Sequence, residues 1–395
     1  MSATAPLQRL DRLENYLRED PQNAALLADA FDTALQSGAL DRAEFHLRHA
    51  MALGHDGPDW GLREAHLMLA QHRWDDARAS LAKLRDECES EPLLAAAVAH
   101  DLAYVELRTG NAEAGLTALR PLVEGVSSTE PLAPSLQALW LRLLHREQRL
   151  ADACTWAGER FAANQLAPDA AGVASLAALD AGDFLTCQRW ADFALGNGGL
   201  CTEAFVARGS TALAQRDSAR ARTLTLRALE QNGEDGRTWS ALGFCEMLDG
   251  QLAAARVAFD RAVVTMPDHI GTWHGMGWAA LMANDLPAAR RAFESALALD
   301  RNFGESHGGM AVVLAMAGER EAAQKAIERA LRLDPGSLSP RYARAALDGD
   351  ARDLGALQRL AHKVLGARPA PFGGNMADVV SSAAQSSAKD QEFGH

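Results

Sequence analysis

The chain is 395 residues long, with 52 acidic against 39 basic side chains and a formal net charge of −13. This balance argues against a general nucleic-acid binder, because affinity for phosphate backbones comes mostly from clustered Lys and Arg. Ala and Leu are abundant and only 6% of residues are aromatic, which favours an all-α chain.

The N-terminal segment has no apolar core of the signal-peptide type. No uncharged apolar run of about 18 residues follows that could span a bilayer. We therefore expect a cytoplasmic protein without direct membrane insertion. Leucines fall on one face of a predicted helix, at Leu7, Leu10, Leu13 and Leu17. They predict a capping helix within residues 1–23.

Small residues and turn signals then recur toward the C-terminus. Within 24–133 the units start near residues 24, 58 and 96, with spacings of 34 and then 38, and another 38 leads to 134. From 134 to 337 six units keep a constant spacing of 34. Four extra residues make about one helical turn, so we expect longer helices or loops in the N-terminal part.

The repeat is clearest in the C-terminal half. Three copies displaced by 34 comprise Trp239, Leu242, Gly243, Ala255, Phe259, Ala262 and Pro267, then Trp273, Met276, Gly277, Ala289, Phe293 and Ala296, then His307, Met310, Ala311, Ala323, Ile327, Ala330 and Pro335. A fixed period of this length indicates stacked units that bury a core only against one another. Small residues such as Gly243 and Gly277 would let two antiparallel helices touch, and bulky ones would pack between units.

These residues resemble the tetratricopeptide repeat (TPR) family, whose pattern is W-x2-L-G-x2-Y, then A-x3-F, then P. The resemblance is strongest over 202–337. It implies an all-α fold, a right-handed α-solenoid in which antiparallel helix pairs form a superhelix. The family tyrosine late in the first helix of each unit is replaced here, by Ala212, Glu246, Ala280 and Leu314.

In TPR proteins the first helices of successive units line a concave groove, so the resemblance assigns groove positions by register. In the C-terminal units these positions are mostly apolar: Phe244, Met247, Leu248, His274, Trp278, Leu281, Met282, Val312 and Met316. Gly275, Gly308 and Gly309 would leave the groove floor low. Methionines adapt to varied shapes, which suits a partner's amphipathic helix or extended apolar segment. The alternative is that these residues pack against the superhelix itself or against C-terminal helices folding back.

The N-terminal half has a different surface at the same register. Its first helices carry Arg63, His66, His100, Tyr104, Arg108, Arg142, His145 and Arg146. Asp29, Asp32 and Asp101 share this face. One interpretation is a site for an acidic peptide or a C-terminal carboxylate, because Arg presents paired donors to carboxylates. The alternative, which the sequence does not separate from the first, is internal pairing with those aspartates.

Motifs for catalysis or metal binding are lacking. Gly275, Gly277 and Ala280 satisfy the dinucleotide fingerprint G-x-G-x-x-A, but that signature requires a strand-to-helix turn and these glycines fall inside a predicted helix. The five cysteines form no CxxC pair, so reduced structural thiols are expected. We expect no enzyme, no cofactor and no metal.

Past Pro335 the chain has room for one helical pair, predicted as C-terminal capping helices within 338–367. Residues 368–395 are rich in Gly, Ser, Ala and Pro and predict a disordered tail. One hypothesis is that Met376–Val380 of this tail docks into an apolar groove.

Together these features predict a non-enzymatic interaction module that binds a helix or extended segment of another protein. The leading interpretation is a TPR scaffold or chaperone from a bacterial cytoplasm. The alternative is an assembly or regulatory subunit of a bacterial secretion or envelope machine. The partner and the oligomeric state stay open.

Overall fold

The computed structural model describes residues 4–88, 90–124, 131–199 and 201–349. The secondary structure of these residues is helical, and twenty α-helices follow one another. Their bounds are α1 Thr4–Glu19, α2 Ala24–Gln36, α3 Leu40–Ala52, α4 Pro58–Ala70, α5 Trp74–Glu87, α6 Pro92–Thr109, α7 Ala112–Val123, α8 Pro134–Arg146, α9 Leu150–Ala162, α10 Pro168–Asp180, α11 Phe184–Gly196, α12 Thr202–Ala214, α13 Ser218–Gln231, α14 Gly236–Leu248, α15 Leu252–Thr265, α16 Ile270–Met282, α17 Leu286–Leu299, α18 Gly304–Met316, α19 Arg320–Leu333 and α20 Ser339–Asp348.

The helices follow the spacing of the sequence. The first helices α8, α10, α12, α14, α16 and α18 begin at residues 134, 168, 202, 236, 270 and 304, each 34 after the last. The helix expected near 96 begins earlier, at Pro92, because proline suits the first helical turn. It is 18 residues long where α4 has 13, so it absorbs about one extra turn.

Short turns join the two helices of each repeat, for example at Gly250, Asn284 and Gly318. All three have a left-handed backbone, with φ of 71°, 58° and 79°. Glycine adopts this conformation freely and asparagine tolerates it. After the second turn, the Asp285 carboxylate accepts the backbone N–H of Ala288 at 3.0 Å and caps α17.

The chain divides into two compact units, Met1–Ala170 and Ala171–His395, with the division inside α10. The sequence predicted a single array, and its register continues unchanged through this point. In unit 1, α1 buries Leu10, Leu13 and Leu17 in a cluster with residues of α2, α3 and α4. The predicted N-terminal helix is thus packed against the first repeat.

In unit 2 the core residues Phe259 and Phe293 each lie between glycines of two successive repeats. A Cβ atom added to Gly243 would come within 2.6 Å of the Phe259 ring, and one added to Gly275 also within 2.6 Å. One repeat later, Phe293 has the same relation to Gly277, at 2.7 Å, and Gly309, at 2.2 Å. The predictions that glycines allow close helix contact and that phenylalanines pack between units are confirmed.

A second regularity is a hydrogen bond that recurs at one position of the repeat. Trp239 Nε1 donates to the carbonyl of Gly233 at 2.8 Å, and Trp273 Nε1 to that of Pro267 at 2.8 Å. One repeat later, His307 Nε2 makes the same bond to Arg301 O at 2.9 Å. A carbonyl oxygen only accepts, so this imidazole carries a proton on Nε2. His307 therefore occupies the position of the repeat tryptophan and also makes its hydrogen bond.

Candidate partner-binding surfaces

The first helices of unit 2 form a continuous face. α12, α14, α16, α18 and α20 each contact the next, whereas successive second helices (α11, α13, α15, α17 and α19) do not contact one another. Because successive first helices lie closer together than successive second helices, the stack of repeats in this unit curves toward the first helices, which form its inner side. This is the face to which the sequence assigned the apolar groove.

Three exposed apolar side chains follow this face at intervals of one repeat. Leu248, Met282 and Met316 are the last residues of α14, α16 and α18, at positions 34 apart. Their exposed fractions are 44%, 56% and 43%. We call these three residues the apolar stripe. They give the face a row of large, adaptable contacts, one from each repeat.

A second row lies deeper and is formed by aromatic rings. Phe244 packs edge to face on Phe259, with ring centroids 5.1 Å apart. Trp278 packs in the same way on Phe293, at 6.2 Å, and on Tyr342, at 6.3 Å. Phe244, Trp278 and the neighbouring Met247 are partly buried. They form the wall of the groove beside the apolar stripe.

Two of the predicted groove residues are buried. Leu281 is 6% exposed and Val312 is 1% exposed, both in a core cluster that includes Ala343 of α20. Tyr342 packs against the same cluster. The alternative from the sequence, packing of a C-terminal helix over these positions, therefore holds around Val312. These two side chains support the groove from beneath.

The three glycines expected to lower the groove floor have another role, and that expectation is corrected. A Cβ atom on Gly308 would come within 2.4 Å of Pro340 Cδ, and Gly275 and Gly309 face the Phe259 and Phe293 rings. All three glycines are buried. They admit a neighbouring helix or ring, so no open floor remains at these positions.

His274 belongs to the packing of the groove wall. Its Nε2 lies 2.8 Å from the Ser306 hydroxyl, and its ring contacts Phe293 and Phe303 with centroids 5.7 and 5.4 Å away. Burial lowers the pKa of this imidazole below its ordinary value. The side chain is thus neutral at pH 7 and contributes shape and a hydrogen bond rather than charge.

Glu305 fixes α20 at the C-terminal end of this face. Its carboxylate accepts the backbone N–H of Leu338 at 2.6 Å and that of Ser339 at 3.2 Å, and also the Ser339 hydroxyl. Burial by itself would raise the pKa of Glu305, but hydrogen bonds from Ser339 and Leu338 lower it overall. A carboxylate at a helix N-terminus satisfies free backbone donors there.

In unit 1 the predicted basic surface is largely paired internally. Arg63 contacts Asp32 through Nε and Nη2, each at 3.2 Å from a carboxylate oxygen. Asp101 accepts from His66 Nε2 at 2.7 Å and from His100 Nδ1 at 3.0 Å. Burial alone would raise the pKa of Asp101, and the bonds from His100 and His66 lower it overall. The internal-pairing alternative therefore applies to Arg63, His66 and His100.

The other predicted residues of this surface lie on α6 and α8. Arg108 stacks over the Trp74 ring at 5.4 Å from its centroid, and Tyr104 packs against the same ring at 6.3 Å. Arg142 and His145 are partly buried and Arg146 is exposed. Arg142 and His145 also have interaction partners. The positive charge open to a partner is therefore concentrated at Arg108 and Arg146.

Sequence reasoning missed Tyr342 and Glu305, which shape the end of the groove. The repeat register contained a signal for Tyr342, because it lies 34 residues after Gly308 and 68 after His274. The signal for Glu305 was weaker, since a glutamate in the first turn of a helix such as α18 is usually exposed to solvent and makes no contact with another helix.

Other observations bear on chemistry. Among the described residues the five cysteines form no disulfide bond, and Cys88, Cys187 and Cys245 are buried. Burial raises the pKa of Cys187 to about 12 and that of Cys245 to about 11, so neither is a reactive thiolate at neutral pH. Gly275 and Gly277 lie inside α16, without the strand that a dinucleotide site requires. Among the described helices, none has the length and apolar character of a membrane span.

Comparison with known proteins agrees with this geometry. A tetratricopeptide repeat family model matches residues 280–347. Among solved structures, the APC/C hetero-tetramer Cut9–Hcn1 matches with a TM-score of 0.63 at 14% identity, covering 88% of this chain and 67% of that chain. The human IFIT1 dimer with PPP-AAAA matches with a TM-score of 0.51 at 16% identity, covering 90% of each chain. No curated protein matches the sequence significantly.

The chain is therefore an all-α solenoid of the tetratricopeptide repeat type. Identities this low show the fold alone, so function must be argued from the surfaces.

Proposed function

We propose that this chain is a non-enzymatic interaction scaffold that binds an apolar helix or extended segment of another protein. The binding site is the first-helix face of unit 2. Its contact residues are the apolar stripe together with Phe244, Met247, His274 and Trp278, while Leu281 and Val312 support them from below.

The apolar stripe is the observation that carries this proposal. Three large apolar side chains, aligned on successive repeats and 43% to 56% exposed, lose contact with water only when something covers them. Contiguous exposed apolar surface typically marks an interaction site. The aromatic wall behind the stripe supplies rigid rings of the kind that dominate binding energy in protein interfaces.

The partner is proposed to be a protein rather than a nucleic acid. A net charge of −13 and the pairing of Arg63, His66 and His100 with aspartates both support this choice. Arg108 and Arg146 in unit 1 are proposed as a secondary contact for an acidic segment of the partner. Five cysteines without a disulfide bond among the described residues suit a reducing compartment such as the cytoplasm.

Within the interaction class, we favour a chaperone that shelters an apolar segment. The alternative is a permanent assembly or regulatory subunit of a bacterial secretion or envelope machine. The dissociation rate of the partner distinguishes these two functions, because a client leaves its chaperone whereas a structural subunit stays bound.

The test compares two exposed apolar residues on opposite sides of the repeat. Met282→Glu places a charge in the apolar stripe, and Val264→Glu places one on α15, where Val264 is 78% exposed. The partner is isolated with the wild-type chain and its affinity measured for each variant. We expect a loss of about tenfold or more for Met282→Glu and no change for Val264→Glu. Equal affinity of the two variants would contradict the proposal.

A further inference from the structure

A pocket of about 550 Å³ lies on the other side of unit 2, between α15 and α17 and above α16. Its floor is apolar and is formed by Trp273, Met276, Ala279, Ala280 and Ala283. The two second helices do not contact one another here. The volume falls within the range of about 300–1,000 Å³ that is usual for ligand sites.

The pocket arises from one departure from the TPR pattern. Ala280 occupies the position where the family has tyrosine, and the adjacent Ala279 is equally small. The same position is filled in the flanking repeats. Glu246 is 4% exposed and pairs with Arg222 at 2.9 Å, and Leu314 is 7% exposed.

The repeat at α12 closes its equivalent space in a third way. Ala212 is small, but the Arg208 side chain is 2% exposed and reaches Asp192 of α11 at 2.7 Å and Thr211 at 3.0 Å. Of the repeats at α12, α14, α16 and α18, the one at α16 thus leaves the space open.

Charge on the rim defines what the pocket would accept. Arg256 and Asp260 line one side and contact each other at 3.8 Å. On the opposite side, Asp285 is engaged in capping α17, and the exposed Arg291 guanidinium has no ion pair among the described residues. An apolar floor beneath an unpaired guanidinium complements an aromatic group that carries a neighbouring carboxylate.

We propose that this pocket is a second docking site, which takes an aromatic side chain flanked by acidic residues from a partner protein. The aromatic ring would lie over Ala280 against Met276 and Trp273, and the carboxylate would pair with Arg291. The site is independent of the apolar stripe. One chain could therefore hold two segments of a partner, or two partners, on opposite sides of the same repeats.

The test uses the full chain with ¹³C-labelled methionine methyl groups. The Met276 methyl reports on the pocket, and the Met282 and Met316 methyls report on the apolar stripe in the same spectrum. The probe is the peptide Gly-Ser-Glu-Phe-Glu-Ser-Gly, and its matched control replaces both glutamates by lysine. We expect the acidic peptide to shift Met276 in a saturable way, to leave Met282 unchanged, and to bind about tenfold more tightly than the control.

Two variants locate the interaction. Ala280→Leu introduces the residue found one repeat later and should abolish the Met276 shift while the melting temperature stays the same or rises. Arg291→Glu alters an exposed side chain and should reverse the preference in favour of the lysine peptide. This second variant keeps the test valid even where the first one disturbs folding.

Several outcomes would overturn the proposal. One is a Met276 resonance that neither peptide moves, and another is equal binding of the two peptides. A Met276 shift that follows protein concentration without peptide would assign the pocket to a second copy of the chain. A Met276 resonance that moves, without peptide, when Phe393→Ala or Phe372→Ala is introduced would assign the pocket to the chain's own C-terminal segment. None of these results affects the apolar stripe, whose reporters are separate.

Discussion

The Trp278 indole packs edge to face against the Tyr342 ring, with centroids 6.3 Å apart and planes at 67°. These residues belong to α16 and α20, which are two repeats apart, and both pack against the cluster that buries Val312. The aromatic wall of the groove therefore depends on α20 being in place. The stability of α20, the last of the described helices, therefore affects the shape of the proposed binding face.

Tyr342→Ala should destabilise unit 2 by roughly 1–3 kcal/mol, because it removes a partly buried ring and exposes Val312. Tyr342→Phe keeps the ring and should stay within about 0.5 kcal/mol of the wild type. Urea unfolding followed by circular dichroism measures both changes. Equal stability of the two variants would mean that the ring contact contributes nothing.

Close packing at the repeat glycines gives a second prediction. Gly277→Leu forces a side chain into the Phe293 ring, which a Cβ atom alone would already approach to 2.7 Å. We expect a loss of about 1–3 kcal/mol or more from overpacking. The matched control is Gly196→Ala in α11, where a Cβ atom meets nothing within 4 Å. Helix propensity should make that variant neutral or slightly more stable, and thermal unfolding compares the pair.

The side-chain bond that recurs at the start of α14, α16 and α18 gives a third prediction. His307→Trp restores the residue of the two preceding repeats and should keep the bond to Arg301 O. His307→Phe keeps a ring without a donor and should lose about 0.5–1.5 kcal/mol. Chemical denaturation of both variants measures the difference. A Phe variant as stable as the Trp variant would show that the bond is dispensable.

Glu305 gives a prediction about pH. Its pKa is lowered in the folded chain from an ordinary value of 4.5, so its contribution is complete above that value and is lost as the pH falls through the folded pKa. Glu305→Gln should be less stable than the wild type by roughly 1–3 kcal/mol at pH 7. The gap should narrow in acid, where both side chains are neutral.

Unfolding of both proteins between pH 7 and pH 3 measures this gap. Other paired carboxylates, such as Asp101 with its two histidines and Glu14 with Arg42, titrate equally in the two proteins and cancel in the difference. A gap that stays constant across the pH range would show that the Glu305 charge does not hold α20.

Much of the fold could be predicted from the sequence because the repeat fixes it locally. The spacing of 34 places Gly243 opposite Phe259 and Gly277 opposite Phe293, and these short-range relations need no knowledge of the rest of the chain. The start of α6 was harder to place, because a helix can lengthen by one turn without changing the pattern of its neighbours.

The binding surfaces were less predictable, because exposure depends on contacts between repeats. Register alone placed Val312 and Met316 on one face, yet α20 covers the first and leaves the second open. The pairing of Arg63 with Asp32 was likewise undecided, since the two residues are 31 positions apart and their side chains have several rotamers. The pocket at Ala280 required the neighbouring repeats for comparison.

The most direct test of the account is site-specific photocrosslinking in living cells. A benzoylphenylalanine residue replaces Met282 in the apolar stripe or Val264 on α15, and the crosslinked products are compared. We expect one discrete protein to be crosslinked from position 282. Met316→Glu in the same chain should abolish this product, and position 264 should not give it. The same product from both positions, or its persistence with Met316→Glu, would contradict a partner bound along the first-helix face.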